Sequence, residues 1–174
     1  MLLRTLILFI ACIFLFGCNA KEENANNGKT ENEKQEAEIS NECYRYTNGK
    51  DSILLSFQQK ENQLEGWLNY NFYEKDNSIG KVKGQFSGDT LQMEYDFLSE
   101  GMISKQQIFF LKKENRLYRG IGHLKMIGDS LQIYSNKKEV DYNDYTPLEH
   151  LKQCPESFIK QENKELFMKI KEEM

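Results

Sequence analysis

Residues 80–97 read GKVKGQFSGDTLQMEYDF, and their pattern decides the fold. Gly80, Val82, Gly84 and Phe86 alternate with Lys81, Lys83 and Gln85. After Ser87-Gly88-Asp89, the alternation resumes with Leu91, Met93, Tyr95 and Phe97 against Gln92, Glu94 and Asp96. A period of two puts one side of each run in a core and the other in water, which describes half-buried strands. A Gly-Asp pair between two such runs predicts an antiparallel hairpin. Both apolar sets must share its inner face, because a one-residue slip would turn every side chain over.

The same pattern extends in both directions. It predicts strands at Cys43–Thr47, Ser52–Gln59, Gln63–Glu74, Ile79–Ser87, Thr90–Ser99, Met102–Lys112, Arg116–Met126 and Ser130–Ser135. The breaks carry turn residues, including Asn48-Gly49, Lys60-Glu61-Asn62, Glu100-Gly101, Glu114-Asn115 and Gly128-Asp129. Turns this short leave no space for helical crossovers, so the strands form an antiparallel meander. Eight meandering strands remove their open edges by closing into an up-and-down β-barrel. The architecture resembles the lipocalin and calycin class in plan, although no lipocalin sequence motif is present. A stretch forty residues on, Gly120 to Ile133, repeats the spacing around Gly-Asp and sets an inner face of Gly120, Gly122, Leu124 and Met126. In the longest strand the inner set is Leu64, Gly66, Leu68, Tyr70 and Phe72. Beyond Pro155, Phe158, Ile159, Leu166, Phe167 and Ile170 share one face at helical spacing, predicting an amphipathic helix over 155–174.

Two functional surfaces follow. Gly66, Tyr70, Gly84, Tyr95, Phe97, Gly120 and Gly122 face inward and are candidates to face a ligand. Inward glycines either bend strands at barrel corners or leave space for a bound molecule, and the pattern alone leaves both open. Trp67, Tyr73, Ile79 and Ile121 face outward. Trp67 either packs under the C-terminal helix or offers an aromatic contact surface to a partner, and Tyr142 and Tyr145 of the Asp141–Tyr145 stretch, also candidates for surface contact, either sit in a capped loop or stack on a sugar or bind calcium through oxygens. Chemistry is sparse. No nucleophile-elbow, zinc-protease, phosphate-loop or calcium-loop motif occurs, and His123, His150, Glu94 and Asp96 read as ordinary surface groups. We expect neither an enzyme nor a metal or other cofactor. With 23 basic and 27 acidic residues, the net charge of -4 gives no support for nucleic-acid binding.

The first 17 residues, MLLRTLILFIACIFLFG, place one charge, Arg4, before an apolar run too short to span a bilayer. That is the plan of a secretory signal peptide. Leu15-Phe16-Gly17-Cys18 resembles the lipobox of bacterial lipoproteins, with Phe16 where a small residue is usual. The resemblance implies cleavage before Cys18 and lipidation of that cysteine, which then anchors the chain to a membrane. Lys21-Glu22-Glu23 resembles the surface-export signal of Bacteroidetes-type lipoproteins, implying an outer-membrane location facing the cell surface, with a periplasmic face as the alternative. Residues 18–40 hold six glutamates and three lysines and no aromatic residue, so they form a lipidated start and flexible tether. With Cys12 discarded and Cys18 lipidated, Cys43 and Cys154 are left to pair in an oxidising compartment. The chain thus divides into a signal peptide (1–17), a tether (18–40), a barrel (41–154) and a helix (155–174). The function expected is a lipid-anchored envelope or cell-surface protein that holds a small apolar ligand or a glycan in or on the barrel. The alternative is an interaction or structural lipoprotein that meets an envelope protein through its outer surface. The sequence leaves the oligomeric state open.

Overall fold

A computed structural model describes residues 38–174. The signal peptide, Cys18 and nearly all of the expected tether lie outside the described residues. Ten strands form one sheet: β1 (Ile39–Thr47), β2 (Ser52–Lys60), β3 (Gln63–Asn71), β4 (Ser78–Ser87), β5 (Thr90–Ser99), β6 (Met102–Lys113), β7 (Arg116–Arg119), β8 (Leu124–Ile127), β9 (Leu131–Tyr134) and β10 (Leu148–His150). One helix follows, α1 (Gln161–Glu172).

Strands β1 to β7 pair in sequence order and β10 joins β7 to β1, giving a closed antiparallel ring of eight. The hairpin that decides the fold has the expected register, from Gly80 opposite Phe97 to Ser87 opposite Thr90. The inner faces of β3, β4 and β5 also follow the alternation: Leu64, Leu68, Tyr70, Val82, Leu91, Met93 and Tyr95 join one buried cluster. From the other strands Tyr44, Ile53, Leu55, Phe57, Ile108, Phe110, Leu117 and Leu148 complete it.

The last part of the ring departs from expectation. The seventh strand ends at Arg119 rather than Met126, and the ring is closed by β10, not by the stretch at Ser130–Ser135. The second Gly-Asp hairpin, β8–β9, stands outside the ring and pairs in parallel with the start of β6, Lys105 opposite Leu131 and Gln106 opposite Gln132. Leu124 and Met126, expected inside, are exposed. The true inner residues of β7 are Leu117, which belongs to the buried cluster, and Arg119, which lies opposite inward Phe110. The repeat fixed the phase of this segment on its glycines and so placed it one residue out.

The disulfide between Cys43 and Cys154 is present, spanning 111 residues. It sits on the ring-closing seam, where Leu151 N–H donates to the Cys43 carbonyl at 2.8 Å and His150 Nε2 lies 3.0 Å from Glu42 Oε2. Helix α1 starts at Gln161, six residues after Pro155, so Phe158 and Ile159 precede it. Its Phe167 is fully buried and packs edge-on against Trp67 at 5.7 Å, while Leu166 is exposed. Lys171 near its end pairs with Asp96 on the outer face of β5. The helix therefore lies on the outside of the barrel, over Trp67, with a basic last turn that suits the helix dipole.

Candidate functional site

The buried cluster fills most of the barrel but not all of it. At one end Phe57, Leu64, Leu91 and Phe110 close the interior, and Lys112 lies over the half-buried Phe86 ring at 5.9 Å. The other end is bounded by the ends of β1, β3, β5 and β7 and the starts of β2, β4 and β6. There a cleft of about 610 Å³ opens, walled by residues such as Tyr46, Phe72, Gln106, Arg119 and Tyr134. A recess of about 180 Å³ lies between Tyr70, Tyr95, Phe97 and Ser78, and Phe72, Gln106 and Arg119 wall both spaces.

Aromatic rings build this end. Tyr95 stacks on Phe97 with centroids 4.6 Å apart, and Tyr70 meets Phe72 at 5.8 Å and Tyr95 at 6.1 Å. The Tyr95 hydroxyl donates to the Leu68 carbonyl at 3.2 Å and lies 3.1 Å from Ser78 Oγ. Burial raises its pKa well above the ordinary tyrosine range. The Tyr70 hydroxyl is buried with no hydrogen-bond partner among the described residues. Burial pushes it up to about 12, with the positive charge of Arg119 pulling the other way.

Among the described residues, Arg119 is the one cation that the alternation of a strand aims into the barrel at this end. Its guanidinium stands 5.1 Å from the centre of the Tyr70 ring, a cation–π distance. It is half-buried, and no carboxylate among the described residues lies within 4.0 Å of it. The rim is braced by Asp51, whose carboxylate accepts from Tyr73 N–H and from Asn48 Nδ2, each at 2.9 Å. Those two donors, the Tyr73 amide first, hold Asp51 below the ordinary carboxylate range. Asp144, which also lines the cleft, accepts through Oδ1 from the Thr146 amide and hydroxyl at 2.9 and 2.7 Å.

The candidates read from the sequence are divided by this geometry. Tyr70, Tyr95 and Phe97 line the recess. Gly66 and Gly84 are inward but leave no space: a Cβ on Gly66 would run into the Ser56 carbonyl and the Phe57 Cα, and one on Gly84 into the Gln92 carbonyl. These two glycines let neighbouring strands approach at tight corners, the structural of the two alternatives. Gly120 and Gly122 border the cleft, yet the space over them is taken by Val140, Tyr142, Phe109 and Tyr134. Trp67 is half-buried under α1, with Lys81 and Lys164 at 5.8 and 5.5 Å from its ring. Tyr142 is half-buried and Tyr145 is 95% exposed. Glu94 and Asp96 each face a lysine, Lys105 and Lys171.

Arg119, Gln106 and Tyr134 were not found from the sequence. Leu117 between Arg116 and Tyr118 carried the signal for the first of these, since it sets the odd-numbered phase that points Arg119 inward. Comparison with known proteins adds no template for the site: no family model matches the chain, and no curated protein or solved structure gives a significant match.

Proposed function

We propose that the protein is a non-catalytic binding protein, anchored to the outer membrane through lipid on Cys18, that takes a small ligand at the open end of its barrel. The observation that carries this is the cleft of about 610 Å³, set in a closed barrel whose other end is packed shut. Its volume lies in the range of about 300–1,000 Å³ usual for small-molecule sites, and its walls combine the rings of Tyr46, Phe72, Tyr73 and Tyr134 with a charged rim. The Cys43–Cys154 disulfide suits an exported chain, in keeping with the signal-like and lipobox-like N-terminus.

Native mass spectrometry of the full chain purified from its membrane tests the proposal. A 1:1 small-molecule adduct is expected in the wild type and not in Gln106→Trp, which fills the cleft wall and should leave the circular dichroism spectrum unchanged. Bare protein in every preparation, with no 1:1 binder from a small-molecule screen, overturns it. Labelling with radioactive palmitate, lost in Cys18→Ala, tests the anchor separately.

One feature favours the alternative of a protein partner. Ile121, Leu124, Met126 and Ile127 are all exposed around the β8–β9 hairpin. Photo-crosslinking from position 126 that captures a single envelope protein, with no adduct in the cleft, would support that alternative.

A further inference from the structure

We propose that the ligand of this cleft is a small anion with an aromatic or apolar body, its acid group seated on Arg119 and the Tyr70 hydroxyl. The inference rests on the binding function proposed above and names the ligand class.

Alternation along β7 calls for an apolar residue at 119, because the position lies opposite Phe110 and faces the barrel interior. A guanidinium there is costly unless something compensates its lost hydration. Nothing in the described residues does so fully: no carboxylate reaches it, and the face of Tyr70 is a weak partner for a charge. A second group beside it is also unsatisfied, since the Tyr70 hydroxyl is buried without a partner. Both groups can donate, as can the amide of Gln106 in the same wall. The Asp76 carboxylate lines the same recess but makes no ion pair with Arg119, so the guanidinium and the Tyr70 hydroxyl both remain open to an acceptor. A guanidinium fork matches a planar carboxylate with two parallel hydrogen bonds. The remaining walls offer the rings of Phe72, Tyr95 and Phe97 and the side chain of Ile108, with Ser78, Ser99 and Asp76 as the other polar groups, so the body of the ligand meets mostly apolar surface.

The charges further out do not choose the sign. Lys50 and Lys75 on the rim are matched by Asp51 and Glu74, and Asp51 is already committed to Tyr73 and Asn48. Asp144 also lines the cleft, beyond ion-pair distance of Arg119 but near enough for its charge to act on the Tyr70 hydroxyl, and its Oδ1 is bonded to Thr146. Selection for an anion therefore falls on the inner pair.

The test uses two molecules of one shape, 2-naphthoate and 2-naphthamide. They are titrated by calorimetry into the full chain in phosphatidylcholine nanodiscs, with empty discs as the blank. The wild type should bind naphthoate 1:1 and at least tenfold more tightly than the amide, and raising salt from 50 to 500 mM should weaken naphthoate alone. Arg119→Gln should cost naphthoate about tenfold and change the amide by less than twofold; Arg119→Lys should restore part of the loss. Tyr70→Phe should cost naphthoate a few-fold. Equal binding of both probes by the wild type, or an equal loss of both in Arg119→Gln, overturns the anion seat while leaving a binding cleft. Neither probe binding, beside a neutral compound in the native mass spectrum, also overturns it. Neither probe binding, with no adduct, sinks the binding function as well. The salt series needs no variant, so misfolding of Arg119→Gln cannot hide the answer.

Discussion

Two hairpins in this chain turn at the same Gly-Asp pair, the first over two residues and the second over three, and meet different fates. Gly88 and Gly128 both lie in the left-handed region, at φ of 59° and 60°, and each is followed by aspartate. Around the first, the strands run ten residues on each side and alternate continuously from Val82 to Tyr95, and β4 and β5 become ring strands. Around the second, only four residues on each side form strand, and all of β8 is exposed. A turn fixes where a chain reverses; the length of the alternation beyond it decides whether the hairpin has an inner face to bury. The second hairpin lacks that length because Gly120 to His123 leave the ring path after Arg119. It is held by a different contact: Tyr134 packs on Phe109, on the outer side of β6, with ring centroids 4.8 Å apart, and its hydroxyl donates to the Gly120 carbonyl at 2.7 Å.

The contrast can be broken at several points. Replacing Cys43 and Cys154 by serine should lower global stability by about 4–5 kcal/mol, through the freedom returned to the unfolded chain. Amide exchange then discriminates: protection in β4–β5 should fall with global stability, whereas β8–β9 should be little changed because it opens locally. Equal losses in both would mean that the outer hairpin folds as one unit with the ring. Leu91→Ala, in the first hairpin, should cost about 2–5 kcal/mol in urea unfolding, against less than about 0.5 for Met126→Ala in the second. Gly84→Ala should cost about 1–3 kcal/mol or more, because its Cβ meets the backbone of β5, which cannot move aside. Gly122→Ala meets only the edge of the Tyr134 ring at 3.2 Å and should stay below about 1 kcal/mol. The turns themselves give the smallest effect. Gly88→Ala should cost about 1 kcal/mol of global stability for its left-handed backbone, while Gly128→Ala should only speed local exchange. A matching global loss from both would show that the two hairpins are equally coupled to the barrel.

The sequence was most legible where alternation ran long. Strands β2 to β6, their turns and the closed ring all follow from a period of two, and the disulfide follows from counting the cysteines left over. Legibility failed where short elements are fixed by distant partners. β10 has three residues, Leu148-Glu149-His150, and becomes a strand only because β1 and β7 both leave an edge beside it. No local pattern in three residues could signal that. The candidate site was half visible. Tyr70, Tyr95 and Phe97 came from the inner phase of long strands, whereas Arg119 was lost to a repeat that is real as turn chemistry and misleading as phase. The glycines misled in a related way. Absence of a side chain is visible in the sequence, but whether backbone, a neighbouring ring or a ligand fills the space depends on the partner strand.

The seam at β10 also sets an order of events. It joins the ring through two residue pairs on each side, and it comes from the end of the domain, just before Cys154. A chain that emerges N-terminus first can pair β1 to β7 as each strand appears, but that sheet stays open along β1 and β7. Until residues 148–150 arrive, two strand edges stand ready to pair with anything extended. The last ring strand to emerge is thus the one that ends the exposure, and the disulfide just behind it ties the closure covalently. Closure of this barrel waits for its last strand, and a truncation before Leu148 would leave a sticky open sheet rather than a smaller barrel.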